Sequence, residues 1–326
     1  MIAVDPCSRV TECYKNGRCN NWIQLEQFPA IPFGVIEVTD HQLIVANNEL
    51  YVAGGQHLDM RNQYLDLVSD EKFYLDHFSR YSRPNNKWIP LNPMLTKRSR
   101  FAMVHLNNHI YAIGGNEKRA WTLDVNEWSS VERYSLLTEE WEKVANLPVN
   151  LKYPSAIAYQ DKILVYGVQR YNDSQGFLFV YDPETNTWIQ LLAELVAVSI
   201  GRRGRRIRNF HPVLVMEGND CYRVKYVNDV AQVNRLTLQL DNIVTCTGQL
   251  CSSHNPADQT NISGDTHEGS FCINKRIFVN LRGYIHRLNC TLESVSSRDT
   301  SGWEEINWLD SSAACINFTF DKYSVL

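Results

Sequence analysis

The sequence predicts an all-β propeller, a fold assembled from repeated four-stranded units. Three observations carry the prediction. One pattern recurs three times between residues 43 and 191, clusters of turn residues cut the chain into short runs rich in Val, Ile and Tyr, and no segment of comparable strength has the spacing of an amphipathic helix. Each such unit exposes apolar faces that it cannot bury alone. Stacking the units radially buries both faces and protects the strand edges.

The first unit reads NNELYVAGGQ, ends in Gly54-Gly55, and is followed by RYSRPNNKWIPL. The second reads NNHIYAIGGN, with Gly114-Gly115, and is followed by VERYSLLTEEWEKV. The third reads QDKILVYGVQ, where Gly167-Val168 replaces the pair, and is followed by VYDPETNTWIQL. A Tyr stands seven positions before a Trp in each: Tyr81 and Trp88, Tyr134 and Trp141, Tyr181 and Trp188. The Trp-to-Trp steps are 53 and 47 residues. A lone Gly-Gly marks only a turn, but three units in phase with the Tyr–Trp spacing make a repeat. Glycines are needed where backbones converge, and the aromatic pair supplies large apolar area between units.

Segments ending in Gly-Gly, followed by a Tyr with six residues between it and a Trp, resemble kelch repeats. The resemblance implies one four-stranded blade per repeat, lettered a to d outward. The Gly-Gly segment is then strand b, the Tyr lies in strand c and the Trp opens strand d. On this reading residues 1–326 form a single kelch-type β-propeller, with six blades expected and an incomplete or irregular N-terminal and closing blade. Its parts are a partial blade at 1–32, clear repeats at 33–92, 93–145 and 146–192, a degenerate blade at 193–245, a loop at 246–270, and a degenerate blade with a closing strand at 271–326. Tyr14 and Trp22 resemble the c–d part of a blade whose earlier strands are absent, and Trp303 resembles the start of a strand d.

Loops held on a rigid scaffold concentrate binding residues. The resemblance places the d–a loops at the mouth of a central pocket, where arginines often meet acidic peptides. The loop PMLTKRSRFA carries Lys97, Arg98 and Arg100, and arginine suits this task because its planar fork pairs carboxylates. The other d–a loops offer Phe33, Lys152 and Tyr153, so that a mixed basic and aromatic pocket is expected from Phe33, Arg98, Arg100, Lys152 and Tyr153. The b–c loops open with Gln56-His57 and with Asn116 to Arg119.

Two further segments have two readings each. The run GRRGRRIR, Gly201 to Arg208, is either a solvated interblade loop or a patch for nuclear import or an acidic partner. The set Cys246, Cys251, His254, His267 and Cys272 carries zinc-ligand chemistry at a spacing that matches no compact zinc motif, so it reads as loop and strand residues rather than a metal site.

Composition narrows the remaining classes. The formal net charge is −4 and 44% of residues are hydrophobic, which points to no nucleic-acid or membrane surface. Nine cysteines, unevenly spread, do not form a disulfide framework, and Met1 to Pro6 lacks the basic start of a signal peptide. A cytoplasmic location is expected. No GxSxG, HExxH, GxxxxGK[ST] or GxGxxG motif is present, so no enzyme activity, cofactor or metal is expected.

The resemblance then implies a protein-recognition module like the C-terminal half of BTB–kelch proteins. In that family the propeller selects a substrate while separate BTB and BACK domains recruit a cullin ubiquitin ligase. At 326 residues the chain is too short for those domains, so it is expected to be a piece of a longer protein. The alternatives are a scaffold that binds actin or another cytoskeletal protein, and a metal-dependent propeller enzyme.

Overall fold

The computed structural model describes residues 2–4, 11–15, 18–23, 38–57, 74–82, 84–115, 127–169, 175–195, 213–217, 220–227, 230–239, 243–251, 267–273, 276–281, 284–288, 303–308 and 314–316. Among them the structure is almost entirely antiparallel strand, with one 3-10 turn at Glu127–Ser129. The chain divides into two compact units: Met1–Leu151 with Ser312–Leu326, and Lys152–Ser311.

The first unit begins with β1 (Ile2–Val4), β2 (Thr11–Lys15) and β3 (Arg18–Ile23). After the short β4 (Val38–Thr39) come β5 (Gln42–Ala46), β6 (Glu49–Ala53), β7 (Gln56–His57), β8 (Phe78–Ser82) and β9 (Lys87–Pro90). β5, β6, β8 and β9 form one four-stranded sheet, while β4 pairs with β7. β10 (Ala102–Leu106), β11 (His109–Ile113), β12 (Val131–Ser135) and β13 (Trp141–Val144) form the next sheet in simple up-and-down order. Asn47 and Asn48 both take positive φ (48° and 63°), as a tight hairpin turn between twisted strands requires, and Asn is a residue that tolerates it.

The second unit holds three such sheets. They are β14 (Leu151–Tyr159) to β17 (Thr187–Leu195) through β15 (Lys162–Gln169) and β16 (Gln175–Asp182); β18 (Val213–Glu217) to β21 (Ile243–Cys251) through β19 (Asp220–Val227) and β20 (Val230–Gln239); and β22 (His267–Ile273) to β25 (Trp303–Trp308) through β23 (Arg276–Leu281) and β24 (Tyr284–Leu288). The last strand, β26 (Ala314–Ile316), belongs to the first unit.

Two readings of the sequence are corrected here. The sheet containing Tyr14 and Trp22 does not lack its earlier strands, because its order is β26-β1-β2-β3, with Ile2 paired to Ile316 and Val4 to Ala314. The closing strand expected near the C-terminal end is β26, whereas β1, only three residues long, was too short a run to read as strand. The expected loop at 246–270 is likewise too long. Residues 243–251 form the outer strand of their sheet, carried by the β-branched run Ile243-Val244-Thr245, and β22 already starts at His267.

The apolar pattern explains the packing. In the first unit Tyr51, Phe78, Met94, Phe101, Ile110, Tyr134 and Trp141 join the β5–β9 sheet to the β10–β13 sheet in one buried cluster. Phe78 meets Tyr134 and Trp141 edge-on, with ring centroids 4.7 and 5.1 Å away. Each repeat Tyr pairs directly with its Trp across strands c and d: Tyr81 with Trp88, Tyr134 with Trp141, and Tyr181 with Trp188. In the second unit Leu164, Tyr166, Leu178, Val180, Leu214 and Cys221 form the corresponding cluster.

Candidate partner-binding face

The Gly-Gly pairs end the inner strands and set the edge of the face. Gly54 and Gly115 take φ values of +61° and +96°. A Cβ on Gly54 would lie 2.5 Å from the Arg98 carbonyl oxygen, and one on Gly115 would lie 2.5 Å from Phe101 Cβ. The loop between β9 and β10 therefore passes directly against both glycines. Gly55 N–H donates to Arg98 O (2.9 Å), and Arg98 N–H donates to Leu75 O (3.0 Å). In the third repeat Val168 follows Gly167 and β15 runs on unbroken to Gln169.

Successive side chains of this loop part ways. Lys97 is exposed, whereas Arg98 is buried. The Arg98 guanidinium donates to Glu132 Oε1 from Nε (3.1 Å) and Nη2 (2.6 Å), and to the carbonyls of Gly114 (2.6 Å) and Ser130 (3.1 Å) through Nη1. Glu132 Oε2 accepts from Leu95 N–H at 2.7 Å. This corrects the reading of Arg98 as a residue facing a partner. A buried guanidinium must be paired to be tolerated, and Arg98 spends its donors inside the protein.

Arg100 does reach the surface. Its side chain is 32% exposed, and Nε donates to Asp40 Oδ2 at 2.8 Å. Gln56 Nε2 donates to the same oxygen at 2.7 Å. Asp40 and Arg100 hold equivalent places before strands a of consecutive repeats, and both take positive φ (58° and 54°). Arg100 N–H also donates to Asp40 O. Strained backbone held by several bonds is a form in which recognition residues are kept in place.

The other expected residues are not gathered here. Phe33 and Asn116 to Arg119 lie outside the described residues, as do Gly201 to Arg208. Lys152 and Tyr153 lie in strand β14 of the second unit, not in a loop. Cys246 and Cys251 lie in β21 and His267 and Cys272 in β22, while His254 is outside the described residues. Among the described residues no group of three or more His, Cys, Asp or Glu side chains is placed to hold a metal ion, and no helix is long and apolar enough to cross a membrane. Sequence reasoning missed Asp40 and Glu132. Aligning the repeats would have found both, since Asp40 matches Arg100, and Glu132 is an acid where Ser79 and Phe179 stand in the neighbouring repeats.

Residues 97–148 match the Kelch motif. The chain is 33% identical over 201 residues to Kelch repeat and BTB domain-containing protein 8 of Xenopus tropicalis, covering 61% of this chain and 30% of that protein. It is 27% identical over 193 residues to Kelch repeat and BTB domain-containing protein 3 of Mus musculus, covering 57% and 30%. With Kelch repeat and BTB domain-containing protein 2 of Homo sapiens it shares 26% over 154 residues, covering 46% and 23%. The matched stretch thus spans less than a third of the length of these curated relatives. With a Kelch motif inside its four-stranded antiparallel blades, the chain has the β-propeller fold and is similar to the kelch-repeat part of BTB-containing kelch proteins.

Proposed function

We propose that this chain is a protein-recognition module that recruits a substrate to a cullin ubiquitin ligase through a BTB-containing protein of the kelch kind. The observation that carries the recognition site is the Arg100–Asp40–Gln56 network at the end of strand b, with exposed Lys97 beside it in sequence. It fixes one partly exposed guanidinium and adds a second cation, a pairing suited to an acidic segment of a partner. The ligase role rests on the resemblance to the relatives, whose names record a BTB domain.

The test is affinity purification from cytosol with the wild-type chain and with Lys97→Ala/Arg100→Ala. A partner retained by the wild type and lost by the double variant supports the site; equal retention overturns it. Co-sedimentation with actin filaments, without ligase subunits among the retained proteins, moves the reading to a cytoskeletal scaffold. Lys152→Ala and Tyr153→Ala, made separately, test the two residues in the second unit.

A further inference from the structure

At the strand ends remote from Gly54-Gly55, a cleft of about 90 Å³ opens between the β5–β9 sheet and the β10–β13 sheet. Leu91 and Leu136 form apolar walls, and Glu49, Arg80, Tyr134 and Glu139 supply the polar groups. Arg80 is committed to Glu49, with Nη1 donating to Oε2 at 3.1 Å, and Tyr51 Oη donates to the same oxygen at 3.0 Å. Glu139 adds a further negative charge that nothing in the lining balances.

The decisive feature is where the repeat departs from its own rule. In the first repeat Tyr81 Oη donates to Asn86 Oδ1, and in the third Tyr181 Oη donates to Asn186 Oδ1 at 2.8 Å. Both asparagines sit five residues after the tyrosine, at φ values of 48° and 54°. In the second repeat the equivalent position is Glu139, at a φ of 59° that Asn would adopt more readily. Tyr134, 1% exposed, is left with its hydroxyl unpartnered at the cleft. Exchanging Asn for Glu thus keeps the turn, frees a buried phenol and adds a carboxylate beside it. A buried polar atom without a partner is costly and calls for one from outside.

We propose that this cleft is a second binding site, which takes a lysine or arginine side chain presented by a partner protein. The apolar walls receive the methylene stem, and Tyr134 Oη and the Glu139 carboxylate accept hydrogen bonds from the cationic head. The net charge of the lining, one cation against two carboxylates, excludes an acidic side chain as the better fit. The site is independent of the Arg100 network and does not rest on the proposed ligase role.

The test is titration of the isotope-labelled full chain with the blocked tripeptide acetyl-Gly-Lys-Gly-amide and its Glu counterpart, followed by amide NMR. The Lys peptide is expected to shift Arg80, Tyr134 and Glu139 saturably, and the Glu peptide not to. Glu139→Asn rebuilds the tyrosine–asparagine bond of the other repeats, so it is expected to fold and to bind the Lys peptide at least tenfold more weakly, about 1.4 kcal/mol. Tyr134→Phe, which keeps the ring packing, is expected to weaken binding in the same direction. Undiminished binding by both variants, or equal shifts with the Glu peptide, overturns the proposal.

Discussion

Arg98 and Glu132 meet inside the protein, Nη2 to Oε1 at 2.6 Å, with each side chain 1% exposed. The equivalent positions of the next repeat hold Leu151 and Phe179, both fully buried. A buried ion pair in one repeat therefore stands where the next repeat has two buried apolar residues. Removing one partner strands a buried charge, so Arg98→Leu and Glu132→Phe should each cost about 3–5 kcal/mol. The double variant should lose clearly less than the two losses added, because neither charge is then stranded. Urea unfolding of the four proteins measures the coupling, and strict additivity would contradict the pairing.

Trp141 buries its indole against Phe78 and Tyr134, and Nε1 donates to Asn92 O at 2.9 Å. Trp141→Ala should destabilise by about 3–5 kcal/mol. Trp188, less deeply buried, should cost less on the same change. Thermal unfolding midpoints rank the two, and a neutral Trp141→Ala would undo the strand register.

Gly115→Ala places a methyl group 2.5 Å from Phe101 Cβ and 2.7 Å from Ser99 O, on backbone at φ +96°. Rigid neighbours and an unfavourable φ act together, so the expected loss is about 2 kcal/mol or more. Gly167→Ala, in a continuous strand, serves as the comparison in denaturant melts.

Burial, reinforced by Glu139, pushes the Tyr134 hydroxyl from 10.0 up to about 12. The unfolded chain loses this proton first, so across that interval the unfolded state binds fewer protons than the folded one. Stability is intact below the lower value and falls as pH climbs toward the upper one. Urea midpoints at about pH 9 and about pH 11 should show the fall, and Tyr134→Phe should make it shallower. Tyr51 is raised as well, by burial and Glu49, and accounts for part of what remains.

Cys221 is buried, and burial pushes its thiol up to about 12. The thiolate is the reactive form, so Cys221 should resist iodoacetamide in the folded protein and react once urea unfolds it. Peptide mass mapping distinguishes the two, and rapid native labelling would contradict the packing around it.

What the sequence made legible was whatever the repeat itself imposed. Gly54, Gly114, the tyrosines and the tryptophans recur in phase: the glycines directly follow β6 and β11, and the tyrosines and tryptophans of the three repeats lie in paired strands. The loop residues between were less readable, because side-chain direction there depends on the surrounding blades. Lys97, Arg98 and Arg100 look alike as letters, yet one is exposed, one buried and one half-buried. Glu132 carried its meaning only through Arg98, a partner distant in sequence. Residues 246–251 end a strand whose start reads as part of the preceding blade, and they read as loop because they lead into the polar run that begins at Ser252.

The pairing of Ile2 with Ile316 also sets an order of events during synthesis. β1 is made before β26 and finds its hydrogen-bonding neighbour on that side only after the strands between them have followed. Until then β1 offers an open edge to any extended segment nearby, and closing so long a loop is slow. A chain that stopped short of Ala314 would keep that edge of β1 open, and an open strand edge is a template for pairing with other chains.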